Sequence, residues 1–180
     1  DGRLRAWGDS YLGQLNVPAL PAGLTYVSAA AGSAHGVAIR SDGSAVAWGS
    51  NIYGQSNIPA LPSGMTWVEV AAYEQNTVLR RSDGVVLGVG ATYTLTNNAP
   101  PAPPGLSYRQ IAVGFYLAVG LLSDGSVIPW GASGSQLQPP ALPNGVVYVE
   151  VACGRIFIAA RRSDGQVLTW VPGPQYVFAT

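Results

Sequence analysis

The dipeptide Asp-Gly recurs at Asp1, Asp42, Asp83, Asp124 and Asp164, at steps of 41, 41, 41 and 40 residues. A fixed period of this length is the mark of a repeat architecture, in which each unit buries its apolar face on its neighbour. Other features keep the same step. Serine precedes four of the five pairs (Ser41, Ser82, Ser123, Ser163), and six residues after each Asp stand Trp7, Trp48, Val89, Trp130 and Trp170. Proline-rich segments follow at 18–21, 59–62, 100–104 and 140–143, each leading to a glycine (Gly23, Gly64, Gly105, Gly145) and an aromatic (Tyr26, Trp67, Tyr108, Tyr148). The chain is therefore about 4.4 copies of one unit.

Each unit reads as β-structure. Asp-Gly between apolar, branched residues is a strong hairpin signal, and a two-residue loop here predicts a type I′ turn. The segment Val37–Trp48 is such a hairpin, and three later segments copy it. An apolar run precedes it at 26–31, 67–72, 108–113 and 148–153. The stretch Gly13–Pro18, with counterparts such as Gly54–Pro59, is a candidate for a short fourth strand. The prolines place their segment at a sheet edge or between units. An all-β fold of β-propeller blades, each a short antiparallel sheet of three to four strands, satisfies this pattern over a single repeat domain, 1–180. Stacked sheets are apolar on both faces, so Trp7, Trp48, Trp130 and Trp170 are assigned to the core between blades.

Composition narrows function. Charged residues are 10% and the formal net charge is zero, which leaves no basic surface for phosphates and argues against nucleic acid. All nine basic residues are arginine, so lysine-based catalysis is excluded. One cysteine, Cys153, permits no internal disulfide or zinc cluster; it aligns with Ala31, Ala72 and Val113 and reads as a small buried hydrophobe. The single histidine, His35, has no triad, because the aspartates sit in turns, and it reads as a structural hydrogen-bonding residue. No calcium loop or phosphate-cradling glycine loop occurs, and the longest apolar stretch is too short for membrane insertion. The expectation is a non-enzyme with no catalytic residues, cofactor or metal.

The string Ala47–Gln55 (AWGSNIYGQ), with Ala30–Gly32, His35 and Val37–Gly43 (VAIRSDG), resembles repeats of the regulator of chromosome condensation superfamily. The resemblance implies seven-bladed β-propellers, and the short repeat is most similar to secreted bacterial members that inhibit β-lactamases. Departures occur at Val89, at Thr94-Leu95-Thr96, and at Asn76, Leu117 and Phe157 where His35 has its counterparts. Segment 171–180 leaves the pattern, whereas the chain opens inside a repeat, so the amino-terminal end reads as truncated. Seven blades would need roughly 290 residues. Membership of a longer chain, or closure by a homo-oligomer of two copies, is expected in preference to a small ring.

The most variable tight loop lies between the first apolar run and the hairpin: Ser33-Ala34, Glu74-Gln75, Phe115-Tyr116 and Arg155-Ile156. In a propeller, equivalent loops gather on one face, and aromatics with arginine are the residues enriched in hot spots. Resemblance to the inhibitor points first to Phe115 and Tyr116, although Phe115 has an equal claim to a place between blades. The loop after each tryptophan, with Tyr11, Tyr53 and Tyr93, is a second surface. The leading function is a non-catalytic protein–protein interaction module, secreted or at a bacterial cell surface, whose partner is another protein. A carbohydrate-binding or adhesive module is the alternative, and a guanine-nucleotide exchange role follows from family analogy alone.

Overall fold

A computed structural model describes residues 2–94, 96–131 and 138–171 and the backbone of 178–179. Asp1, Leu95 and most of the divergent segment 171–180 lie outside the described residues. Among the described residues the chain forms four antiparallel sheets in sequence order. They are β1 (Tyr26–Ala31), β2 (His35–Arg40), β3 (Ala45–Gly49); β4 (Trp67–Tyr73), β5 (Asn76–Arg81), β6 (Val86–Gly90); β7 (Tyr108–Val113), β8 (Ala118–Leu122), β9 (Val127–Trp130); and β10 (Tyr148–Cys153), β11 (Ile158–Arg162), β12 (Val167–Trp170). A two-residue strand, β13 (Phe178–Ala179), pairs with β12 in the last sheet. The proline segments carry no strand, and a 3₁₀ turn at Thr92–Thr94 is the one helical element among the described residues. This is the propeller-blade architecture that the repeat predicts.

The hairpin turn differs from expectation. In each blade two backbone bonds close the turn, as in Gly43 N–H to Arg40 O at 2.9 Å and Arg40 N–H to Ser44 O at 2.8 Å. Only the glycine has positive φ (Gly43 at 80°), so the loop has three residues, a β-turn followed by a glycine bulge, and is not type I′. The side chains explain the choice. Asp42 Oδ1 accepts from the Ser44 amide and hydroxyl, while Ser41 Oγ accepts from Thr25 N–H and Ser41 N–H bonds Thr25 O. Serine of each later Ser-Asp-Gly ties the outer end of its blade in the same way, at Thr66, Ser107 and Val147.

The proposed fourth strand is absent from Gly13–Pro18 and Gly54–Pro59. Consecutive turns replace it: Gly13 N–H bonds Ser10 O, Asn16 N–H bonds Gly13 O, and both Gly13 and Gly54 have φ of 79°. The recurring glutamine of these loops turns inward on its own backbone. Gln14 Oε1 accepts from Leu12 N–H and the buried Gln55 Oε1 from Tyr53 N–H, each at 2.9 Å.

Blades stack through their alternating faces. Val37 and Ile39 of the first meet Trp67, Val70 and Leu79 of the second; Leu117, Val119 and Leu121 of the third meet Val151, Ile158 and Trp170 of the fourth. Polar side chains cross the same seams. Gln110 accepts from Val151 N–H and donates to Val151 O, and Glu69 accepts from Ile111 N–H while pairing with Arg80 at 2.7 Å. The first strands of the second and fourth blades also dock on the preceding turn, through Trp67 N–H to Gly43 O and Tyr148 N–H to Gly125 O. A bulge after each aromatic turns Val27, Val68 and Val149 outward.

The aromatic positions have two jobs. The hydroxyls of Tyr26, Tyr108 and Tyr148 donate to the proline carbonyl eight residues upstream, at Pro18, Pro100 and Pro140 (2.7–2.9 Å), which fastens the linker to the blade. Tyr148→Phe should therefore cost about 1 kcal/mol in a denaturant titration, because Pro140 O loses its donor in a buried place. The repeat tryptophans bond across blades: Trp48 Nε1 donates to Gln14 O and Trp130 Nε1 to Thr96 O, each 34 residues upstream at 2.8 Å. Trp130 and Trp170 are buried and Trp48 is partly so, but Trp7 is 84% exposed and its segment, 3–8, forms no strand. The core assignment fails at Trp7, on which no sheet stacks among the described residues.

Candidate interaction face

The two loop families that the sequence presents as separate surfaces are joined in space. In the first blade, Ala34 O accepts from Ser50 N–H at 2.8 Å; in the second, Gln75 O accepts from Ala91 N–H at 3.0 Å. Each bond pins the loop between the blade's first two strands to the loop that leaves its third. Gly49 and Gly90 make this possible: both have positive φ, and a Cβ on either would strike the Ala34 or Gln75 carbonyl.

Neighbouring blades are also strung together along this end. Glu74 O accepts from both the amide and the hydroxyl of Ser33, at 3.0 and 3.1 Å, and Phe115 N–H bonds Arg155 O at 3.1 Å. Glu74 is the one non-glycine residue with positive φ (48°) among the described residues. Such backbone strain costs of order 1 kcal/mol and is held here by the two Ser33 bonds.

On this scaffold lies a ribbon of rings. Tyr53 meets Tyr93 edge to face, with centroids 6.2 Å apart. Tyr93 Oη donates to Gln75 Oε1, and its pKa is raised by desolvation and by the proximity of Tyr53, Tyr116 and Glu74. Tyr116 lies against Phe115 at 4.1 Å, and the Arg155 guanidinium sits 5.3 Å from the Phe115 ring centre, within cation–π range. Tyr53, Tyr93, Tyr116, Arg155 and Ile156 are exposed, whereas Phe115 is half-buried beneath its neighbours. Ser33 is exposed but committed to Glu74, and Ala34 serves through its carbonyl, so these two candidates are scaffold. Tyr11 stands apart, exposed and without a ring contact among the described residues.

Beneath the ribbon runs a line of buried polar groups. His35 Nε2 lies 2.8 Å from Thr77 Oγ1 across the seam between the first two blades, and burial lowers its pKa to about 4, the Glu74 carbonyl opposing. In the second blade Asn76 takes the place of His35 and donates to Thr94 Oγ1, which also lies 3.0 Å from Thr96 Oγ1. Thr94 and Thr96 were legible only as departures from the repeat; their partner, Asn76, gives the reason. Cys153 is a free thiol packed against the last seam, its pKa pushed up by burial. No cluster of three metal-ligating side chains occurs among the described residues, and none of their helices is long and apolar enough to cross a membrane.

Comparison with known proteins agrees with this geometry. The regulator of chromosome condensation (RCC1) repeat model matches residues 26–55, which span the three strands of the first blade and the following loop. No curated protein sequence matches the chain significantly. Among solved structures, Saccharomyces cerevisiae Prp20p, described with its binding to Gsp1p and histones, is 19% identical over 82% of this chain and 44% of its own (TM-score 0.64). Yeast RCC1 (Prp20), solved with Kap60, is 18% identical over 92% and 51% (TM-score 0.72). Human WBSCR16 is 19% identical over 94% and 54% (TM-score 0.69). At these identities the likeness establishes the propeller fold, and the chain spans about half the length of these structures.

Proposed function

We propose that this chain is a protein-interaction module whose contact surface is the ribbon Tyr53–Tyr93–Tyr116–Phe115–Arg155, with Glu74, Gln75 and Ile156 at its margin. The observation that carries the reading is the convergence of four aromatic rings and one arginine on loops held by backbone hydrogen bonds. Tyrosine and arginine present large contact area at low entropic cost, and a rigid scaffold reduces what ordering the loops would otherwise take from affinity. Yeast Prp20, a similar protein solved in two of these structures, is described with the protein partners Gsp1p, histones and Kap60, which supports an interaction role. The resemblance to secreted inhibitors supports Phe115 and Tyr116 as its centre.

A photo-crosslinking residue at Tyr116, compared with one at Ala60 in a proline segment, tests the surface. The expected result is adducts with a protein partner from Tyr116 alone. With that partner purified, Tyr93→Ala and Arg155→Ala should each weaken binding by at least about tenfold. Equal crosslinking from both positions, or unchanged affinity in both variants, would discard the ribbon. Saturable binding of a simple sugar at the ribbon would favour the adhesive alternative.

A further inference from the structure

The chain holds one Asn-Gly pair, Asn144-Gly145, beside its Asp-Gly pairs. In both kinds the glycine nitrogen can attack the side-chain carbonyl carbon before it, because glycine has no Cβ to crowd the five-membered ring that forms. The fold treats the two kinds differently. In the turns at Asp42, Asp83, Asp124 and Asp164 both reacting groups are committed. The glycine N–H donates to the carbonyl three residues back, at Arg40, Arg81, Leu122 and Arg162 (2.9–3.0 Å). Each aspartate Oδ1 accepts from the N–H two residues on, at Ser44, Val85, Ser126 and Gln166. Their carboxylates, ionised near neutral pH, also repel a nucleophile.

Asn144-Gly145 has none of these restraints. The pair forms the centre of a β-turn closed by Val146 N–H to Pro143 O at 3.1 Å, with Gly145 at a φ of 78°. That closing bond does not use the Gly145 N–H, and the exposed Asn144 side chain has no hydrogen-bond partner among the described residues. A Cβ placed on Gly145 would meet nothing within 4 Å, so the surroundings leave the asparagine amide room to swing onto the glycine nitrogen. The equivalent linker turns carry Ala22, Ser63 and Pro104, and every other asparagine precedes a residue with a side chain.

We propose that Asn144 is a self-modification site of the folded protein, converted through a cyclic imide to aspartate and isoaspartate. Base removes the Gly145 amide proton and the nitrogen attacks Asn144 Cγ. The new C–N bond forms as the bond from Cγ to the amide nitrogen breaks, and that nitrogen takes up a proton and leaves as ammonia. Water then opens the imide. Addition at Cγ returns the original chain with an aspartate; addition at the main-chain carbonyl carbon leaves isoaspartate, with the chain running through Cγ. Either product puts a carboxylate into a linker that, like the other proline segments, carries no charge. Isoaspartate also lengthens the backbone by one carbon between Leu142, which packs on the last seam, and Tyr148, whose hydroxyl holds Pro140 O.

The test incubates the 180-residue chain in mildly alkaline buffer, beside a synthetic peptide of residues 141–148. Peptide mass spectrometry reads the gain of an amide becoming an acid, and isoaspartyl methyltransferase labelling reads the isoaspartate. Conversion at Asn144 should run within about tenfold of the free peptide and at least about tenfold ahead of every other site in the native chain. Asn144→Ser, which installs the residue found at position 63, should abolish both signals there. In urea, where the turns no longer hold them, the Asp-Gly pairs should take up more label than in the native chain. Conversion of Asn144 more than about tenfold slower than in the peptide overturns the proposal. So does label that enters the native Asp-Gly turns as fast as Asn144, or fails to rise there in urea.

Discussion

Trp130→Ala is expected to destabilise the protein by about 3–5 kcal/mol, whereas Trp7→Ala, at the same repeat position, should change stability by no more than about 0.5 kcal/mol. Trp130 lies in the seam between the second and third blades, edge to face with Tyr108 at 6.0 Å, and its indole N–H donates to Thr96 O. Truncation leaves a cavity among Ile111, Val113 and Leu122 and removes the donor from a backbone carbonyl in a buried loop. Trp7 makes no such contacts and stands in solvent. Urea titrations of the two variants beside the parent protein measure both values. Equal losses would mean that the repeat position, and not the neighbouring sheet, determines the energetics.

The second large effect is on pH dependence. His35 has a folded-state pKa of about 4 against 6.5 for a free histidine, chiefly because burial penalises the imidazolium. Below pH 6.5 the unfolded chain takes up a proton that the native protein refuses, so the unfolded state gains relative stability as pH falls. The loss develops between pH 6.5 and 4 and then levels off, at roughly 3 kcal/mol. His35→Asn, which installs the residue found at position 76, should remove this slope from the stability-against-pH curve. The depressed carboxyls also lose stability on acidification: the Arg81 guanidinium holds Asp83 at about 2, and hydrogen bonds from Ser44 and Ser126 lower Asp42 and Asp124. They are common to both proteins, and the difference between the two curves isolates His35. Parallel curves would show that the histidine is not buried neutral.

The sequence carried the period, the three strands of each blade and most of the core, because apolar alternation and turn chemistry are local and repeat four times. It carried less where an outcome depends on a neighbour. Trp7 shares the string Ala-Trp-Gly with Trp48, yet it stands in solvent where no sheet stacks on it among the described residues. Asp42-Gly43 suggests a two-residue turn by composition, yet the bonds from Ser41 to Thr25, 16 residues away, select the longer loop. The glycine turns around Gly13 look strand-compatible until Gln14 folds back on Leu12 N–H. The site was legible as one set of variable loops and a second set in which tyrosine recurs. Their merger at Tyr93, Gln75 and Tyr116 required the rotation between blades, which no single repeat encodes. The buried Gln55 could have been found from the recurrence of Gly-Gln at residues 13–14 and 54–55.

Residue-resolved amide hydrogen exchange in the native protein tests the repeat directly. Slow exchange should recur at steps of about 41 residues in the strands, as at 26–31, 35–40 and 45–49, with fast exchange through Arg3–Gly8 and in the proline segments. Protection that follows no such period, or that extends through Gly13–Pro18 and Arg3–Gly8 as strongly as through β2, would contradict a chain of stacked three-stranded blades.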